Sequence, residues 1–225
     1  MTIKAVLFDL HNTLVYNENP VSAEEISRLL FSKGYEVSPQ QLKASWMFVS
    51  FVDYPKYGYK SWNSYLSRIF QRLKAKVDKE TLGDIVNLLE ANPYKLYSDA
   101  EEAVVKAKKS RFKTAIVTTI AYFQFKEVIK PIREYFDFIM TGYEAGCDKT
   151  NLKMYRKILE TLKVKPNEAV MIGDDVQVDI LLPKRLGINA ILLDRKGQNP
   201  KCQAANAIVN DLQEALEVIL KFQVR

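Results

Sequence analysis

The stretch that decides the fold is Ile3-Lys-Ala-Val-Leu-Phe8, followed at once by Asp9-Leu-His11-Asn-Thr13. The first part has the apolar residues of a short buried strand, and it breaks abruptly at a carboxylate. A second ionisable side chain, His11, follows two residues later, and Thr13 adds a hydroxyl. Such a sequence is a poor way to build a core and a good way to hold reactive groups at the end of a sheet. We therefore predict that Asp9 is a nucleophile.

Composition and charge are those of an ordinary globular chain. The 225 residues carry 33 basic and 27 acidic side chains, and 11 and 9 of these fall in residues 16–97, so the excess is spread evenly. No binding motif accompanies the basic run at 106–113, so we expect no nucleic-acid partner. No apolar stretch approaches a membrane span, and the N-terminus lacks the pattern of a signal peptide. Cys147 and Cys202 lack metal-ligand spacing, and we expect a cytoplasmic protein with no membrane partner.

Residues 16–97 have the apolar spacing of helices. Ser22-Ala-Glu-Glu25 has the form of a capping box, and a turn-rich piece at 53–60 separates the second predicted helix from the third. Four helices are predicted, beginning near Ser22, Ser38, Ser61 and Asp78. Four helices at short spacing with no strand signal predict a small helical bundle.

From residue 98 onward the pattern alternates between helix and strand. Helices are predicted at 99–110, 122–134, 151–163, 177–186 and 211–222, and strands at 114–118, 136–141, 169–173, 190–193 and 207–209. This alternation indicates an α/β fold with a doubly wound parallel sheet of Rossmann type, and the opening strand belongs to that sheet. We predict a core domain made of residues 1–15 and 98–225, interrupted by a helical insertion at 16–97.

Four of the predicted strands end on polar groups. Because ligands of open parallel sheets bind beyond the carboxyl ends of the strands, these groups should meet at one edge. The groups are Asp9 with His11 and Thr13, then Thr118-Thr119, then Asp148 and Lys149, and finally Gly173-Asp174-Asp175 with Asp179.

Together these side chains suit phosphoryl transfer. A carboxylate can attack phosphorus and form an aspartyl phosphate. Acidic groups such as Asp9 and Asp174 can hold Mg²⁺, which offsets the repulsion between a carboxylate nucleophile and an anionic phosphate. Thr118 and Lys149 supply a hydroxyl and a positive charge for phosphate oxygens.

The same motifs resemble those of the haloacid dehalogenase superfamily. Val6-Leu-Phe-Asp9-Leu-His-Asn-Thr13 is similar to its first motif, Asp-x-Asp-x-Thr, in all but one position, and Ile116-Val-Thr118 is similar to the second. Lys149 resembles the third, with Tyr155 six residues on and Thr150 where a proline is common, and Gly173-Asp174-Asp175 through Asp179 resembles the fourth. The helices between the first two motifs match the cap domain of one branch of that superfamily.

The resemblance implies a role for each matched residue. Asp9 would be the nucleophile and a Mg²⁺ ligand, with Asp174 and the backbone carbonyl of His11 as further ligands. Thr118 and Lys149 would bind the phosphate. Asp179 would bind or orient the metal, and Asp175 receives no definite role.

His11 is the departure from the family pattern. The family's phosphatases carry an aspartate here, which protonates the leaving oxygen and then activates water. Histidine can do this work, since its ordinary pKa of ~6.5 suits acid–base catalysis near neutrality. The other reading is that the position has lost its role and that activity is weak, changed or absent.

Three functions follow as hypotheses. The leading one is a Mg²⁺-dependent phosphatase that acts on a small organic phosphomonoester. The second is a carbon–halogen hydrolase of the same superfamily, against which Asp174 and His11 both argue. The third is a non-catalytic binding or regulatory protein with the same fold, favoured by His11 alone. Among the aromatic residues of the insertion, the 54–59 loop is expected to face substrate, and the protein is expected to be a monomer or homodimer.

Overall fold

The computed structural model describes residues 2–198 and 201–223. Its strands are β1 (Ala5–Phe8), β2 (Val15–Tyr16), β3 (Lys95–Leu96), β4 (Lys113–Val117), β5 (Phe138–Met140), β6 (Ala169–Gly173), β7 (Asn189–Leu193) and β8 (Ala207–Val209). Its α-helices are α1 (Ala23–Ser32), α2 (Pro39–Phe48), α3 (Tyr54–Tyr57), α4 (Trp62–Arg72), α5 (Lys79–Glu90), α6 (Ala100–Lys109), α7 (Tyr122–Phe125), α8 (Gly142–Ala145), α9 (Leu152–Leu162), α10 (Leu182–Arg185) and α11 (Leu212–Gln223).

Six strands form one parallel sheet in the order β5-β4-β1-β6-β7-β8. Phe8, the last residue of β1, pairs with Ile116 on one side and with Ile172 on the other. The three central strands therefore end side by side. Strands β4 and β5 lie on one side of β1, and β6, β7 and β8 lie on the other. The strand order therefore reverses at β1, and ligand-binding crevices form at such points.

Side chains of β1 alternate between the two faces of the sheet. Val6 and Phe8 belong to the apolar core that also contains residues of α6 and α11. Ala5 and Leu7 belong to the core on the opposite face, under α9. All four are fully buried, as the near-continuous apolar run predicts for a strand covered on both faces. The predicted α/β, doubly wound parallel sheet is confirmed.

Five helices, α1–α5, lie between β2 and β3 and enclose a further apolar core, to which the sheet domain contributes Ala121 and Phe123. The capping box predicted at Ser22 and Glu25 is present, and Ser38 caps α2 with its side chain. The chain enters and leaves this helical segment through β2 and β3, which pair antiparallel, Val15 opposite Leu96. This two-stranded connection is not predicted by the sequence pattern, because two residues are too few to show a period.

Two segments differ from their predicted form. Residues 53–60 are not a turn-rich loop: a π-helical turn at Val49–Asp53 runs directly into α3. The predicted helix 122–134 is also wrong as a single element, since α7 ends at Phe125 and a 3₁₀-helix follows at Lys130–Tyr135. Pro131 lies at the start of that 3₁₀-helix, and proline cannot donate the hydrogen bond that would continue α7.

Tyr54 joins the helical segment to the sheet domain. Its side chain is buried, its hydroxyl lies 2.8 Å from the Thr141 hydroxyl, and it accepts a hydrogen bond of 3.3 Å from the Tyr122 backbone N–H. The neighbouring Pro55 packs against Gly142 of α8. Within the 54–59 segment that is predicted to face substrate, Tyr54 is thus held against the sheet domain, and its approach to substrate stays a prediction.

Several side chains of the basic run pair with neighbouring groups, and the two cysteines are free thiols. Of the basic run at 106–113, Lys108 pairs with Asp137 at 2.6 Å and Lys113 donates to the Leu162 carbonyl at 2.6 Å. Cys147 and Cys202 form no disulfide. Within residues 2–198 and 201–223, every helix is too short or too polar to cross a lipid bilayer.

Replacing Tyr54 by phenylalanine should destabilise the protein by about 1 kcal/mol, because the buried Thr141 hydroxyl and the partly buried Tyr122 N–H each lose a partner. Equilibrium unfolding in urea measures this change. The matched control is Tyr57→Phe, whose ring is 60% exposed and which should stay within about 0.5 kcal/mol of the parent. Equal stability of the two variants would show that the Tyr54 hydroxyl does not hold the two parts together.

Candidate active site

Asp9 lies directly beyond the central strand. Its backbone N–H donates to the Ile172 carbonyl at 2.8 Å, which continues the pairing of β1 with β6 by one residue. Its carboxylate is largely buried, and Oδ1 accepts a hydrogen bond from the Lys149 ammonium. A buried carboxylate with a lysine partner is a group that the fold holds in one position.

Lys149 bridges two carboxylates from different strand ends. Its Nζ contacts Asp9 Oδ1 and lies 2.6 Å from Asp179 Oδ1. Burial acts to lower the pKa of Lys149, but the two carboxylates outweigh that effect and raise it above the usual lysine value. The backbone N–H of Lys149 donates to the Thr119 hydroxyl at 3.3 Å, so the loop after β4 fixes the loop that carries the lysine.

Asp9, Asp174 and Asp179 form an acidic cluster. One carboxylate oxygen from each lies within 4.8 Å of the others. Burial raises the pKa of Asp174, and the charge of Asp9 raises it further, because a buried carboxylate is penalised both by lost hydration and by a like charge. Burial also raises the pKa of Asp179, so the cluster holds more acidic groups than the single Lys149 ammonium can balance, and the excess is relieved by a proton or by a cation. This donor set fits a hard divalent cation such as Mg²⁺, which prefers carboxylate oxygens.

Gly173 makes room for Asp179. A Cβ built on Gly173 would lie 2.3 Å from Asp179 Cγ, a distance that no side chain tolerates. The glycine before the acidic pair is thus required by the close approach of Asp179, which is fully buried and comes from the following helical turn.

Asp175 has a structural role that the sequence analysis left open. It is exposed, and its Oδ1 accepts from the backbone N–H groups of Gln177 at 2.7 Å and Val178 at 3.1 Å. Asp175 therefore caps the helical turn that presents Asp179. Its own N–H donates to Asp179 Oδ2 at 3.2 Å.

Thr118 and Tyr155 complete the buried surroundings. Thr118 follows β4, and its hydroxyl accepts from the Ile120 N–H at 3.2 Å, which leaves its own O–H proton able to donate. Tyr155 is fully buried in α9 and donates to the Val178 carbonyl. It braces the same helical turn that Asp175 caps, whereas Lys153, one turn away from Lys149, is exposed.

His11 lies in the tight turn after Asp9 and is exposed. Its ring packs edge-on against Tyr94, with 5.8 Å between the ring centroids. The turn is closed by Asn12, whose φ of +60° is tolerated by asparagine and whose N–H donates to the Val15 carbonyl at 2.7 Å. Among the described residues no group donates a hydrogen bond to the His11 carbonyl.

Two residues that support the site were missed by the sequence analysis. Asn12 Nδ2 donates to Asp174 Oδ2 at 3.1 Å, so the turn after β1 orients a carboxylate in the loop after β6. Arg195 donates to the Thr13 carbonyl at 2.9 Å and forms two hydrogen bonds with Asp99, of 2.9 and 3.0 Å. Asn12 belongs to the first motif, and its amide could have been predicted to bond a carboxylate of the site. The sequence around Arg195 contains no pattern that indicates its partners.

The predicted strand-end residues are thus brought together at one edge of the sheet. Asp9, Lys149 and Asp179 are in direct contact, and Asp174 joins their cluster. The arrangement offers a nucleophilic carboxylate, a cation site, an ammonium for an anionic substrate and, at the rim, an imidazole able to move a proton.

Comparison with known proteins agrees with this chemistry. A family model described as haloacid dehalogenase-like hydrolase matches residues 3–187. The chain is 25% identical over 219 residues to haloacid dehalogenase-like hydrolase domain-containing protein 3 of Xenopus laevis, covering 90% of this chain and 88% of that protein. It is also 25% identical over 201 residues to a glyceraldehyde 3-phosphate phosphatase of Methanopyrus kandleri, covering 86% of this chain and 84% of the relative.

A solved structure shows the same fold. The 2-haloacid dehalogenase of Pseudomonas syringae pv. Tomato DC3000 superimposes with a TM-score of 0.71 at 18% identity, over 98% of this chain and all of that chain. At this identity the likeness concerns the fold and not the reaction.

Replacing Gly173 by alanine should destabilise the protein by about 1–3 kcal/mol, because the new methyl group forces Asp179 out of its position. Urea unfolding measures the loss. Gly83→Ala in α5 is the matched control: nothing lies within 4 Å of the added Cβ, and the change should stabilise the helix by about 0.5–1 kcal/mol. A Gly173→Ala variant as stable as the parent would show that Asp179 is not held as described.

Proposed function

This chain belongs to the haloacid dehalogenase-like hydrolase family, and we propose that it is a Mg²⁺-dependent phosphatase acting on a small organic phosphomonoester. The observation that carries the proposal is the buried cluster of Asp9, Asp174 and Asp179 around Lys149. A carbon–halogen hydrolase needs a nucleophilic carboxylate but has no use for a cation site beside it. The name of the Methanopyrus kandleri relative supports the same class of reaction.

The residues present fit a magnesium ion. The three carboxylates have oxygens within 4.8 Å of one another, and the His11 carbonyl accepts no hydrogen bond from the described residues. We assign Asp9, Asp174, Asp179 and that carbonyl as the groups that would hold it. When bound, Mg²⁺ would offset the excess negative charge of the acidic cluster and stabilise the charge that develops on the transferred phosphoryl group.

The proposed reaction has two steps. A carboxylate oxygen of Asp9 attacks phosphorus, the bond from phosphorus to the ester oxygen breaks, and His11 gives its proton to the leaving alcohol. Water then attacks the phosphorus of the aspartyl phosphate while His11 takes up a proton from that water. Inorganic phosphate leaves, and Asp9 is restored as a free carboxylate.

Lys149 and Thr118 are assigned to hold the phosphate. An ammonium has three N–H donors, and two of those on Lys149 face Asp9 and Asp179, which leaves the third for a phosphate oxygen. The Thr118 hydroxyl accepts from the Ile120 N–H and can donate its own proton to a second oxygen. These contacts strengthen as negative charge spreads over the phosphoryl oxygens.

We also propose separate roles for the two parts of the chain. Residues 1–15 and 98–225 would form the catalytic core, and residues 16–97 a cap that covers the site and selects the organic part of the substrate. The packing of α1–α5 around one apolar core, to which the sheet domain adds Ala121 and Phe123, and the paired strands β2 and β3 at its base support this division.

Magnesium should raise the melting temperature of the parent protein, because a ligand that binds only the folded state stabilises it, by about 2.7 kcal/mol at a hundredfold excess over its Kd. Asp174→Asn should be more stable than the parent in a chelator, since one of three clustered carboxylates is gone, and should lose most of the response to Mg²⁺. Thermal unfolding with Mg²⁺ or chelator measures both effects.

Asp175→Asn is the matched control, because Asp175 is exposed and asparagine is an equally good helix cap. It should keep the full response to Mg²⁺. An undiminished response in Asp174→Asn would remove Asp174 from the metal site.

Hydrolysis of 4-nitrophenyl phosphate should depend on Mg²⁺ and should be abolished in Asp9→Asn, whose amide cannot act as the nucleophile. His11→Ala should lower kcat by about 10²–10⁴, the usual contribution of a positioned acid–base group, and His11→Asp should recover part of the loss. Steady-state rates between about pH 5 and 8 provide the measurement.

The alternatives predict other outcomes. Turnover that is indifferent to Mg²⁺, together with halide release from 2-chloropropionate, would favour a dehalogenase. Turnover that survives Asp9→Asn would refute the covalent route. Binding of Mg²⁺ and phosphate with no hydrolysis by the parent would indicate a binding or regulatory protein, and a His11→Ala variant equal to the parent at every pH would remove His11 from the mechanism.

A further inference from the structure

A cavity of about 600 Å³ lies between the helical segment and the sheet domain, a size typical of small-molecule sites. Its walls come from α2, α4, the chain leading into β3, and α7. Four aromatic side chains line it: Trp46, Trp62, Tyr94 and Phe123. The rings of Trp62 and Phe123 meet edge to face, with 5.1 Å between their centroids.

The charges around this cavity cancel. Its lysines, Lys60 and Lys126, are matched in number by Glu90 and Glu127, and its remaining polar side chains are neutral. An anionic group, such as a second phosphate, would gain no net attraction here. The lining is suited instead to an uncharged group with a flat apolar face, since aromatic walls stabilise such a ring by stacking and edge contacts.

Tyr94 connects the cavity to the catalytic residues. It lines the cavity, and its ring also packs against the ring of His11. His11 is the group assigned to protonate the leaving oxygen, so the organic part of the substrate must lie on the His11 side of the phosphate. The cavity shares Tyr94 with His11, and neither Lys149 nor a residue of the acidic cluster lines it.

We propose that the cavity between α2, α4 and α7 receives an aromatic ring on the leaving alcohol, so that the substrate class is the phosphomonoester of an uncharged arylalkyl alcohol or phenol. This inference rests on the proposed phosphatase function. Trp62 and Phe123 form the wall against which the ring packs, and Tyr94 contacts both the cavity and His11.

Tryptophan fluorescence reports directly on this cavity, because the two tryptophans of the chain, Trp46 and Trp62, both line it. The experiment titrates the protein in Mg²⁺ with benzylphosphonate, cyclohexylmethylphosphonate and methylphosphonate while tryptophan fluorescence is recorded. These probes are not hydrolysed, since the phosphorus is bonded to carbon. Benzylphosphonate should change the fluorescence saturably and bind about two- to tenfold more tightly than its saturated counterpart, the range expected for an aromatic contact.

Phe123→Leu should remove this preference by lowering the affinity for benzylphosphonate alone. Phe51→Leu is the matched control, since Phe51 is exposed and does not line the cavity, and it should keep the preference. Equal affinities of the parent protein for the two ring compounds would overturn the inference.

The same samples distinguish failure of the aromatic site from failure of the proposed phosphatase function. If phosphomonoesters are hydrolysed and all three phosphonates bind alike, the phosphatase function stands and the aromatic site fails. If no phosphomonoester is hydrolysed and no phosphonate binds, both fail. A preference for benzylphosphonate that persists in Phe123→Leu would place the ring elsewhere and also refute the assignment.

Discussion

The interaction on which the site depends is the sharing of one buried ammonium by two carboxylates, with a third carboxylate close by. Lys149 contacts Asp9 and Asp179, and Asp174 lies in the same cluster. Ions removed from water are costly unless they are paired, and here three acidic groups share one ammonium, an excess of acidic groups in a place where burial already raises the pKa of Asp174 and Asp179. A fold that keeps such an excess in its interior gains from a divalent cation at that point. The acidic cluster is thus more informative about function than the nucleophile alone.

Contacts between loops, rather than the strands themselves, hold this charge in place. The Lys149 backbone is fixed by Thr119, from the loop after a different strand, and Asn12 reaches across from the first strand end to Asp174. Gly173 has no side chain, and the Asp179 carboxylate occupies the space where its Cβ would lie. Because each loop is positioned by its neighbour, a change in one of them should disturb all the groups that meet at the sheet edge.

The sequence predicts the residues at the sheet edge well, because the residues that follow parallel strands all lie at the same edge. It predicts less about positions whose structure depends on contacts between distant parts of the chain. Tyr54 lies in a stretch that the sequence predicts to be turn-rich, yet it is buried, and its hydroxyl meets that of Thr141, the residue that caps α8. The pairing of β2 with β3 joins residues about eighty positions apart and leaves no local pattern. Asp175 could have been a ligand or a cap, and only the positions of the N–H groups of Gln177 and Val178 distinguish these roles.

His11 is best understood together with the aromatic cavity beside it. The family's phosphatases carry an aspartate at this position, and a carboxylate there would lie against the ring of Tyr94. His11 itself is exposed, so its ring meets Tyr94 along one edge and is otherwise open to solvent. A carboxylate offers no ring for this contact, whereas an imidazole extends the aromatic surface of Tyr94 towards the catalytic residues. Under the proposed function, the histidine at position 11 and the aromatic lining of the cavity are therefore two consequences of one substrate.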